Sequence, residues 1–313
     1  MTRPLRSGEE RVMDVEVLIV GGGPAGLSAA LVLGRCHRQV LVCDDGMPRN
    51  RASPAIHGLL SREGIAPTQF LATARAELRK YTTVQILSSR VLDVVSTGDF
   101  FQYSCSNGTR GTASKVLLAS GLVDDLPAIA GIDEHYGISV HHCLYCDGFE
   151  YRGRAVAAYG LGDRGAALGL MMRHWMSDVV VCSDGSGISA GWAQKLRAHN
   201  IPVRLERVRA LIGEGGRLSR VDFDSGSSLS IQGLFFATGC QQASDLSQRL
   251  GCERDKNGGV VTHPVTEDTS VPGVYVAGDG SRDVLLVSIA VAEGAKAAVS
   301  INKAFLRQDG FCE

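Results

Sequence analysis

The chain has 313 residues, of which 44% are hydrophobic and 21% charged, a length that suits two domains and a composition that excludes an intrinsically disordered protein. The formal net charge of -1 lacks the basic excess expected of a protein that binds nucleic acid or a membrane surface. No apolar run is long enough to span a bilayer, and the polar start shows no secretory signal, so we expect a cytoplasmic protein.

The first part of the chain alternates between apolar, β-rich segments and segments with helical periodicity. This alternation is typical of an α/β protein with a parallel sheet. The predicted elements are, in chain order, a strand over 15–20, a helix over 27–34, a strand over 40–43, a helix over 70–80, β-like segments over 84–95 and 100–105, and a strand over 115–119.

The organisation restarts after Gly121 with a second strand–turn–helix–strand unit. Its elements are a strand over 155–159, a glycine-rich turn over 160–165, a helix over 166–176 and a strand over 179–182, and a further strand over 233–237 follows. The C-terminal part contains a strand over 274–277 and a long helix over 284–306. We therefore predict two Rossmann-like domains, the second inserted into the first. The FAD-binding domain would comprise residues 1–121 and 240–313. The inserted nucleotide-binding-like domain would comprise residues 122–239.

Residues 21–26 match the dinucleotide fingerprint Gly-x-Gly-x-x-Gly, directly after a strand and before a helix. Glycines here allow a tight turn and let the backbone approach a pyrophosphate at the helix N-terminus. The next strand ends at Asp44, at the distance expected of the ribose-binding acid, and Asp45 is the alternative. The cofactor-binding candidates of this turn are Gly21, Gly23, Pro24, Ala25 and Gly26.

A second element near the C-terminus narrows the choice of cofactor. The strand over 274–277 runs into Gly278 and Asp279, which resembles the C-terminal FAD motif of two-dinucleotide-binding flavoproteins. Ala237-Thr238-Gly239 is similar to another segment of those proteins. Both resemblances favour FAD over NAD at the first site, with Asn50, Gly278 and Asp279 as further cofactor-binding residues.

A pair of cysteines, Cys143 and Cys146, lies between the two glycine motifs. A Cys-x-x-Cys motif beside strand–helix–strand units indicates a redox pair. The adjacent His141 and His142 leave zinc as an alternative. Structural zinc sites usually take ligands from two separated segments, however, so we predict no metal.

Cys-Leu-Tyr-Cys-Asp-Gly-Phe between two glycine motifs, before a C-terminal Ala-Gly-Asp, resembles the low-molecular-weight thioredoxin reductases over nearly the whole chain. The resemblance implies two Rossmann-like domains joined by a two-strand hinge, and a homodimer. It implies that Cys146 faces the flavin and that Cys143 exchanges with a substrate disulfide or dithiol. It also implies that Asp147 is the proton donor and acceptor. The neighbouring His141 and His142 are candidates to tune the thiols, and His142 is taken as the catalytic histidine.

The second glycine motif departs from that family. Gly160, Gly162 and Gly165 are present, but no Arg or Lys occurs from Ser177 to Gln194 to bind a 2′-phosphate. Asp184 at the strand end would repel that phosphate and suits a free ribose hydroxyl. NADPH is therefore disfavoured, and NADH, a second FAD or no ligand is favoured.

These departures resemble thioredoxin-reductase-like proteins that lack the NADPH signature, namely diflavin-linked disulfide oxidoreductases and O2-dependent dithiol oxidases. The predicted function is a flavin-dependent disulfide/dithiol oxidoreductase acting on a small molecule or a thioredoxin-like protein, with an electron-carrier protein as a further candidate partner. Three alternatives remain open: an O2-dependent dithiol oxidase, an NAD(P)H-dependent thioredoxin reductase and a non-catalytic flavin redox sensor.

Overall fold

The computed structural model describes residues 11–281 and 284–311. Within these residues the strands are β1 (Arg11–Val12), β2 (Val15–Val20), β3 (Val40–Asp44), β4 (Val84–Ser88), β5 (Val91–Ser96), β6 (Phe101–Cys105), β7 (Thr109–Leu118), β8 (Leu122–Asp124), β9 (Val140–His141), β10 (Ala155–Tyr159), β11 (Asp178–Cys182), β12 (Val203–Arg204), β13 (Val208–Glu214), β14 (Arg217–Phe223), β15 (Ser228–Ser230), β16 (Gly233–Phe236), β17 (Cys240–Gln242) and β18 (Val274–Val276).

The four longest helices of the same residues follow the predicted periodicity, with ends displaced by a few residues, and the shorter helices were not predicted. The helices are α1 (Pro24–Arg35), α2 (Pro67–Leu78), α3 (Ile132–His135), α4 (Leu144–Asp147), α5 (Asp163–Met172), α6 (Ala190–Ala198), α7 (Leu246–Arg249) and α8 (Val287–Gln308). Pro24 opens α1, where a missing N–H costs nothing because the first helical N–H groups have no partner within the helix.

The chain divides into two compact units. The first comprises 1–49, 68–123 and 241–313, and the second comprises 50–67 and 124–240. The predicted division placed 50–67 in the first domain, whereas these residues cluster with the second unit. The chain passes from the first unit to the second within β8 and returns to the first within β17, and these two strands pair as a two-stranded sheet.

The first unit is built on an eight-stranded sheet with the order β4-β3-β2-β7-β6-β5, in which β1 and β18 also pair with β7. Strands β2, β3, β4, β7 and β18 run parallel, while β5 and β6 form an antiparallel meander with β7. Their apolar residues lie in two core clusters. Helix α8 packs closely on α1, since a Cβ on Gly294 would lie 2.1 Å from the carbonyl oxygen of Ala25.

The second unit contains a five-stranded parallel sheet, in the order β12-β11-β10-β16-β9, and a three-stranded antiparallel sheet of β13, β14 and β15. This antiparallel sheet was not predicted from the sequence. Its first hairpin turns at Gly215 and Gly216, which both have positive φ, and a Gly-Gly pair between two alternating runs is a hairpin signature. The mixed α/β, Rossmann-like fold class is confirmed.

Candidate active site

The first glycine turn has backbone contacts that only glycine permits. A Cβ on Gly21, which has φ +107, would lie 2.4 Å from the carbonyl oxygen of Ala119. A Cβ on Gly26 would lie 2.0 Å from the carbonyl oxygen of Gly21. Beside Gly23, in contrast, there is open space at the N-terminus of α1, and no side chain caps that helix. There is therefore room for a phosphate at the N-terminus of α1, where the first N–H groups of the helix point.

Asp44 lies at the end of β3 and is bound on two sides. Its carboxylate accepts the N–H of Gly22 at 3.0 Å and forms an ion pair with Arg75 of α2. The Nε atom of Arg75 is buried and has no hydrogen-bond partner within the described part of the chain. A buried N–H without an acceptor is costly, so this donor fits a polar ligand group beside Asp44. Arg75 was not identified from the sequence.

The C-terminal motif contacts the same turn. Gly278 has φ +81, and a Cβ there would lie 3.1 Å from the side chain of Ala25. The N–H of Gly278 donates to the buried Glu293 of α8 at 2.6 Å. Asp279 pairs with Arg49 at 2.7 Å. The residues predicted from two distant motifs therefore meet, and the open helix N-terminus, the acid Asp44 and the unpaired donor of Arg75 fit a dinucleotide such as FAD.

Asn50, also predicted as a cofactor-binding residue, lies in the short 3-10 turn Arg49–Ala52. Its carbonyl oxygen accepts the N–H of Ser53 at 3.0 Å. It belongs to the second unit, and its role stays a prediction.

Cys143 and Cys146 form a disulfide, with their Cα atoms 5.3 Å apart. Cys143 is the N-cap of α4, and its sulfur accepts the N–H of Cys146 at 3.1 Å. Both cysteines are half-buried, while Tyr145 between them and Phe149 after them are 70% and 62% exposed. The pair therefore lies in reach of solvent beside two exposed aromatic rings.

Asp147 directly follows the pair, and the histidine close to it is His141. The Nδ1 atom of His141 lies 3.3 Å from Oδ2 of Asp147. Its Nε2 atom lies 3.0 Å from the hydroxyl of Tyr151, which donates to the carbonyl oxygen of Ile138 at 3.1 Å. Burial, reinforced by the negative charge of Asp147, raises the pKa of Tyr151 to about 12, so this hydroxyl keeps its proton.

His142, the histidine predicted to tune the thiols, has other neighbours. Its Nδ1 atom lies 3.6 Å from Oδ2 of Asp124 and 3.5 Å from the hydroxyl of Tyr136. The structure thus brings His141, and not His142, to Asp147. Successive side chains of a strand point to opposite faces, which explains the different surroundings.

His57, from the segment 50–67, is a further ionisable group of this region that sequence reasoning missed. Its Nδ1 atom lies 2.6 Å from Glu63, and its Nε2 atom lies 3.8 Å from Glu150. Burial acts to lower the pKa of His57, but the hydrogen bond to Glu63 and the charges of Glu150 and Asp147 outweigh it, so the pKa is raised above 6.5.

We expect this raised pKa to make stability pH-dependent. A group whose pKa is higher in the folded state stabilises the fold fully below its unfolded pKa and loses that contribution as pH rises through the folded pKa. His57→Gln should therefore lower the free energy of unfolding at pH values below 6.5, with a difference from wild type that shrinks above the folded pKa. Urea unfolding of wild type and variant, below pH 6.5 and again above the folded pKa, measures this difference. The exposed His199→Gln is the control. A difference that grows with pH would contradict the expectation.

The second glycine turn has the same tight backbone as the first. A Cβ on Gly165 would lie 2.3 Å from the carbonyl oxygen of Gly160, and Gly162 has φ +57. The segment that follows β11, however, lies on this turn. The N–H of Gly162 donates to the Ser186 hydroxyl at 2.6 Å, and the N–H of Ser189 donates to the Asp163 carboxylate at 2.8 Å.

Asp184, the predicted ribose-binding acid of this turn, has both carboxylate oxygens bound within the chain. It accepts the hydroxyl of Tyr159 at 2.7 Å and the N–H of Val208 at 2.8 Å. Burial, with the hydrogen bond to Asp184, raises the pKa of Tyr159. A basic side chain does reach this strand end, because Arg207 lies against Gly185, 3.0 Å from the position of an added Cβ.

The described residues contain no group of three or more His, Cys, Asp or Glu side chains placed to hold a metal ion. Among the helices of the described ranges, none has the length and apolar character needed to cross a membrane.

The family model of the pyridine nucleotide-disulphide oxidoreductases matches residues 15–294. The chain is 31% identical over 293 residues to a thioredoxin reductase, tcpT, of Claviceps purpurea, covering 90% of this chain and 91% of that protein. The structure of HlmI superposes with a TM-score of 0.91 at 32% identity, covering 96% of each chain. An oxidoreductase from Agrobacterium tumefaciens superposes with a TM-score of 0.86 at 32% identity, covering 94% of this chain and 99% of that one.

The fold and the site thus define an FAD-dependent enzyme that acts on disulfides. The chain belongs to the pyridine nucleotide-disulphide oxidoreductase family, and it resembles the thioredoxin reductases within it. The predicted resemblance to the thioredoxin reductases and the predicted enzyme class are confirmed, while the resemblance to the proteins that lack the NADPH signature stays a prediction. Because the family is one of enzymes, the alternative of a non-catalytic flavin sensor is not retained.

Proposed function

We propose that this flavoenzyme oxidises a dithiol substrate through Cys143 and Cys146, without drawing electrons from NADPH. The observation that carries the proposal is the hydrogen bond from the Gly162 N–H to the Ser186 hydroxyl in the second glycine turn.

In a dinucleotide site, N–H groups of the glycine turn bind the pyrophosphate. Here the Gly162 N–H already has an acceptor in Ser186, whose hydroxyl in turn donates to the carbonyl oxygen of Ser183 at 2.5 Å. The carboxylate of Asp163 lies in the first turn of α5, tied to the N–H of Ser189. A pyrophosphate would have to displace Ser186 and approach a negative charge, which disfavours any dinucleotide here.

The end of β11 also disfavours NADPH. Asp184 is negatively charged and bound on both oxygens by Tyr159 and Val208, so it repels a 2′-phosphate and offers a ribose fewer free acceptor positions. The same occupied turn disfavours NADH and a second FAD, which the sequence had left as candidates.

A second candidate function is an NAD(P)H-dependent thioredoxin reductase. The position of Arg207 beside Gly185 favours it, because a guanidinium is the usual partner of a phosphate. Thioredoxin reductase is also the name of several relatives, including that of Claviceps purpurea. In this candidate, Ser186 would have to leave the turn when the nucleotide binds.

The residues of the cysteine pair suit the dithiol reaction. The two substrate sulfurs form an S–S bond, the Cys143–Cys146 bond breaks, and each cysteine sulfur takes up one proton, so two electrons and two protons are transferred. Cys143 meets the substrate sulfur, Cys146 is the sulfur that exchanges with the cofactor, and Asp147 supplies a proton. The turn at Gly21–Gly26, together with Asp44 and Asp279, would hold bound FAD. This FAD would accept the electron pair.

The substrate side of the pair carries exposed aromatic rings. Tyr145 packs edge-on against Trp175 with ring centroids 5.4 Å apart, and Arg152 lies 3.8 Å over the Phe149 ring. Such a surface suits a small apolar dithiol or the active-site surface of a thioredoxin-like protein. We further propose a homodimer, in keeping with the resemblance. The electron acceptor of the flavin would be O2, with an electron-carrier protein as the alternative partner.

An anaerobic titration of the flavin absorption band tests the proposal. Dithiothreitol should bleach the band, whereas NADPH and NADH in excess should leave it within a few per cent of its oxidised intensity. Admitting air should restore the band with uptake of one O2 per dithiol. Rapid bleaching by NADPH would overturn the proposal in favour of the reductase. Counting flavins per chain checks the second site: we expect one FAD per chain in total, bound at the first glycine turn, and none at the second.

A further inference from the structure

Cys43 and Cys105 are a second pair of neighbouring cysteines, and both lie in the first unit. They are free thiols, and their sulfur atoms are 3.7 Å apart. A disulfide bond is about 2.0 Å long, so the two sulfurs are in non-bonded contact, with one thiol donating to the other. Their exposed fractions are 2% and 4%, and both belong to the same core cluster. The unit with the first glycine turn therefore holds a buried dithiol of its own.

This contact joins two parts of the first unit that are not neighbours in its sheet. Cys43 lies in β3, and Cys105 is the last residue of β6. In the sheet order, β2 and β7 stand between these two strands. The sulfurs thus meet across the core and not along a ladder of paired strands. A bond between them would tie the parallel strands to the antiparallel meander.

Cys43 is also attached to the first glycine turn. Its carbonyl oxygen accepts the N–H of Gly21 at 2.8 Å. The next residue is Asp44, whose carboxylate accepts the N–H of Gly22 at 3.0 Å. A bond that holds Cys43 in place would therefore hold the turn and the acid that would face the dinucleotide.

The two thiols differ in acidity and in their distance from solvent. The hydrogen bond from Cys43 lowers the pKa of Cys105, although burial acts to raise it. The same hydrogen bond, together with burial, raises the pKa of Cys43. Cys105 is therefore the sulfur that ionises first, and the thiolate is the reactive form in thiol oxidation. The exposed turn 106–108 follows Cys105 directly, so a molecule little larger than water reaches this sulfur through a local opening of one turn.

We propose that Cys43 and Cys105 form a second redox site, which hydrogen peroxide converts from a dithiol to a disulfide. The Cys105 thiolate attacks one peroxide oxygen and the O–O bond breaks, which leaves a sulfenic acid and hydroxide. The Cys43 thiol then attacks the oxidised sulfur. An S–S bond forms, the S–O bond breaks, and the oxygen leaves as water with the proton of Cys43. In total the two thiols lose two electrons and two protons, and one H2O2 becomes two H2O.

Peroxide is also the expected by-product of the activity proposed above, because one dithiol that reduces one O2 yields one H2O2. The second redox site does not depend on that activity, since peroxide added from outside serves equally. When peroxide accumulates, the new disulfide fixes β3 to the meander, and with β3 it fixes the first glycine turn.

Peptide mapping of the holoenzyme tests the proposal. The protein is exposed to a small excess of H2O2, its remaining thiols are blocked with N-ethylmaleimide in urea, and it is digested without reduction. We expect a cross-linked peptide pair that carries Cys43 and Cys105 in most chains and that dithiothreitol separates. The matched control is Cys182, a thiol with 0% exposure whose pKa burial raises to about 12, which should be recovered as the blocked thiol.

Two variants separate the roles of the sulfurs. Cys43→Ser keeps a hydroxyl that can donate to the Cys105 sulfur but cannot close a disulfide, so a sulfenic acid should persist on Cys105 and react with dimedone. Cys105→Ser should leave Cys43 as an unlabelled thiol. The proposal fails if Cys43 and Cys105 of the wild type stay thiols while the half-buried Cys36 is oxidised. It fails equally if dimedone labels Cys43 in Cys105→Ser and not Cys105 in Cys43→Ser.

The temperature at which heating releases FAD reports on the glycine turn itself. A wild-type sample that carries the cross-link should release its flavin about 5 °C or more above the untreated sample, because the disulfide restricts the unfolded chain. Peroxide should produce no such rise in Cys43→Ser, which controls for oxidation elsewhere. An unchanged release temperature in cross-linked wild type would contradict the proposed tie between β3 and the meander.

Discussion

Replacing either cysteine of the disulfide, as Cys143→Ser or Cys146→Ser, should lower dithiol-dependent reduction of the flavin by at least about 1000-fold. The reaction needs two sulfurs in the enzyme, one to form the bond with the substrate and one to leave with the electron pair, and serine provides neither. Stopped-flow absorbance of the flavin band measures the rate. Because the two sulfurs act as one unit, the double variant should be no worse than either single variant.

The matched control is Cys36→Ser at the C-terminus of α1, a free and half-buried thiol outside the pair. It should keep the wild-type rate. The Cys143 and Cys146 variants should keep their flavin, since both cysteines belong to the second unit. A wild-type rate in Cys143→Ser would show that the substrate reaches the flavin without passing through the disulfide.

Gly26→Ala should destabilise the first unit and strip it of FAD. The added Cβ would lie 2.0 Å from the carbonyl oxygen of Gly21, so the turn or the start of α1 has to move. Overpacking of this kind costs about 1–3 kcal/mol, and the displaced atoms are those that would face the pyrophosphate. The flavin-to-protein absorbance ratio and the thermal midpoint of unfolding measure both effects.

Gly191→Ala is the control for the loss of glycine itself. Gly191 lies in α6 of the second unit, with open space where its Cβ would be. Alanine should there raise the free energy of unfolding by about 0.4–1 kcal/mol, because it restricts the unfolded chain. Full flavin retention by Gly26→Ala would contradict the cofactor role of the first turn.

Local patterns sufficed to predict the strands and helices that carry the first glycine turn. Gly21 and Gly26 can be recognised in the sequence because the close backbone contact between them lies within a segment of six residues, so it imposes a fixed spacing of glycines. Asp44 was also predictable, since it ends the next strand. Arg75 and Glu293 were not, because each reaches the turn from a helix far away in sequence, and helical periodicity gives no information on which turn a polar side chain approaches.

The choice between the two neighbouring histidines shows another limit. His141 and His142 are equivalent in sequence, and only the position of Tyr151 and the buried face of β9 distinguish them. For the second turn, the absence of basic residues after β11 was visible. Neither the bond of Ser186 to Gly162 nor the approach of Arg207 to Gly185 could be deduced, since both depend on how loops fold back.

The membership of residues 50–67 in the second unit has a consequence for modularity. A contiguous stretch of gene that encodes residues 124–240 would not encode the whole unit. It would omit His57, and Glu150 would lose the imidazole nitrogen 3.8 Å away. Exchange of such a stretch between related enzymes would therefore join a histidine from one parent to a carboxylate from another, so the two segments are expected to be inherited together.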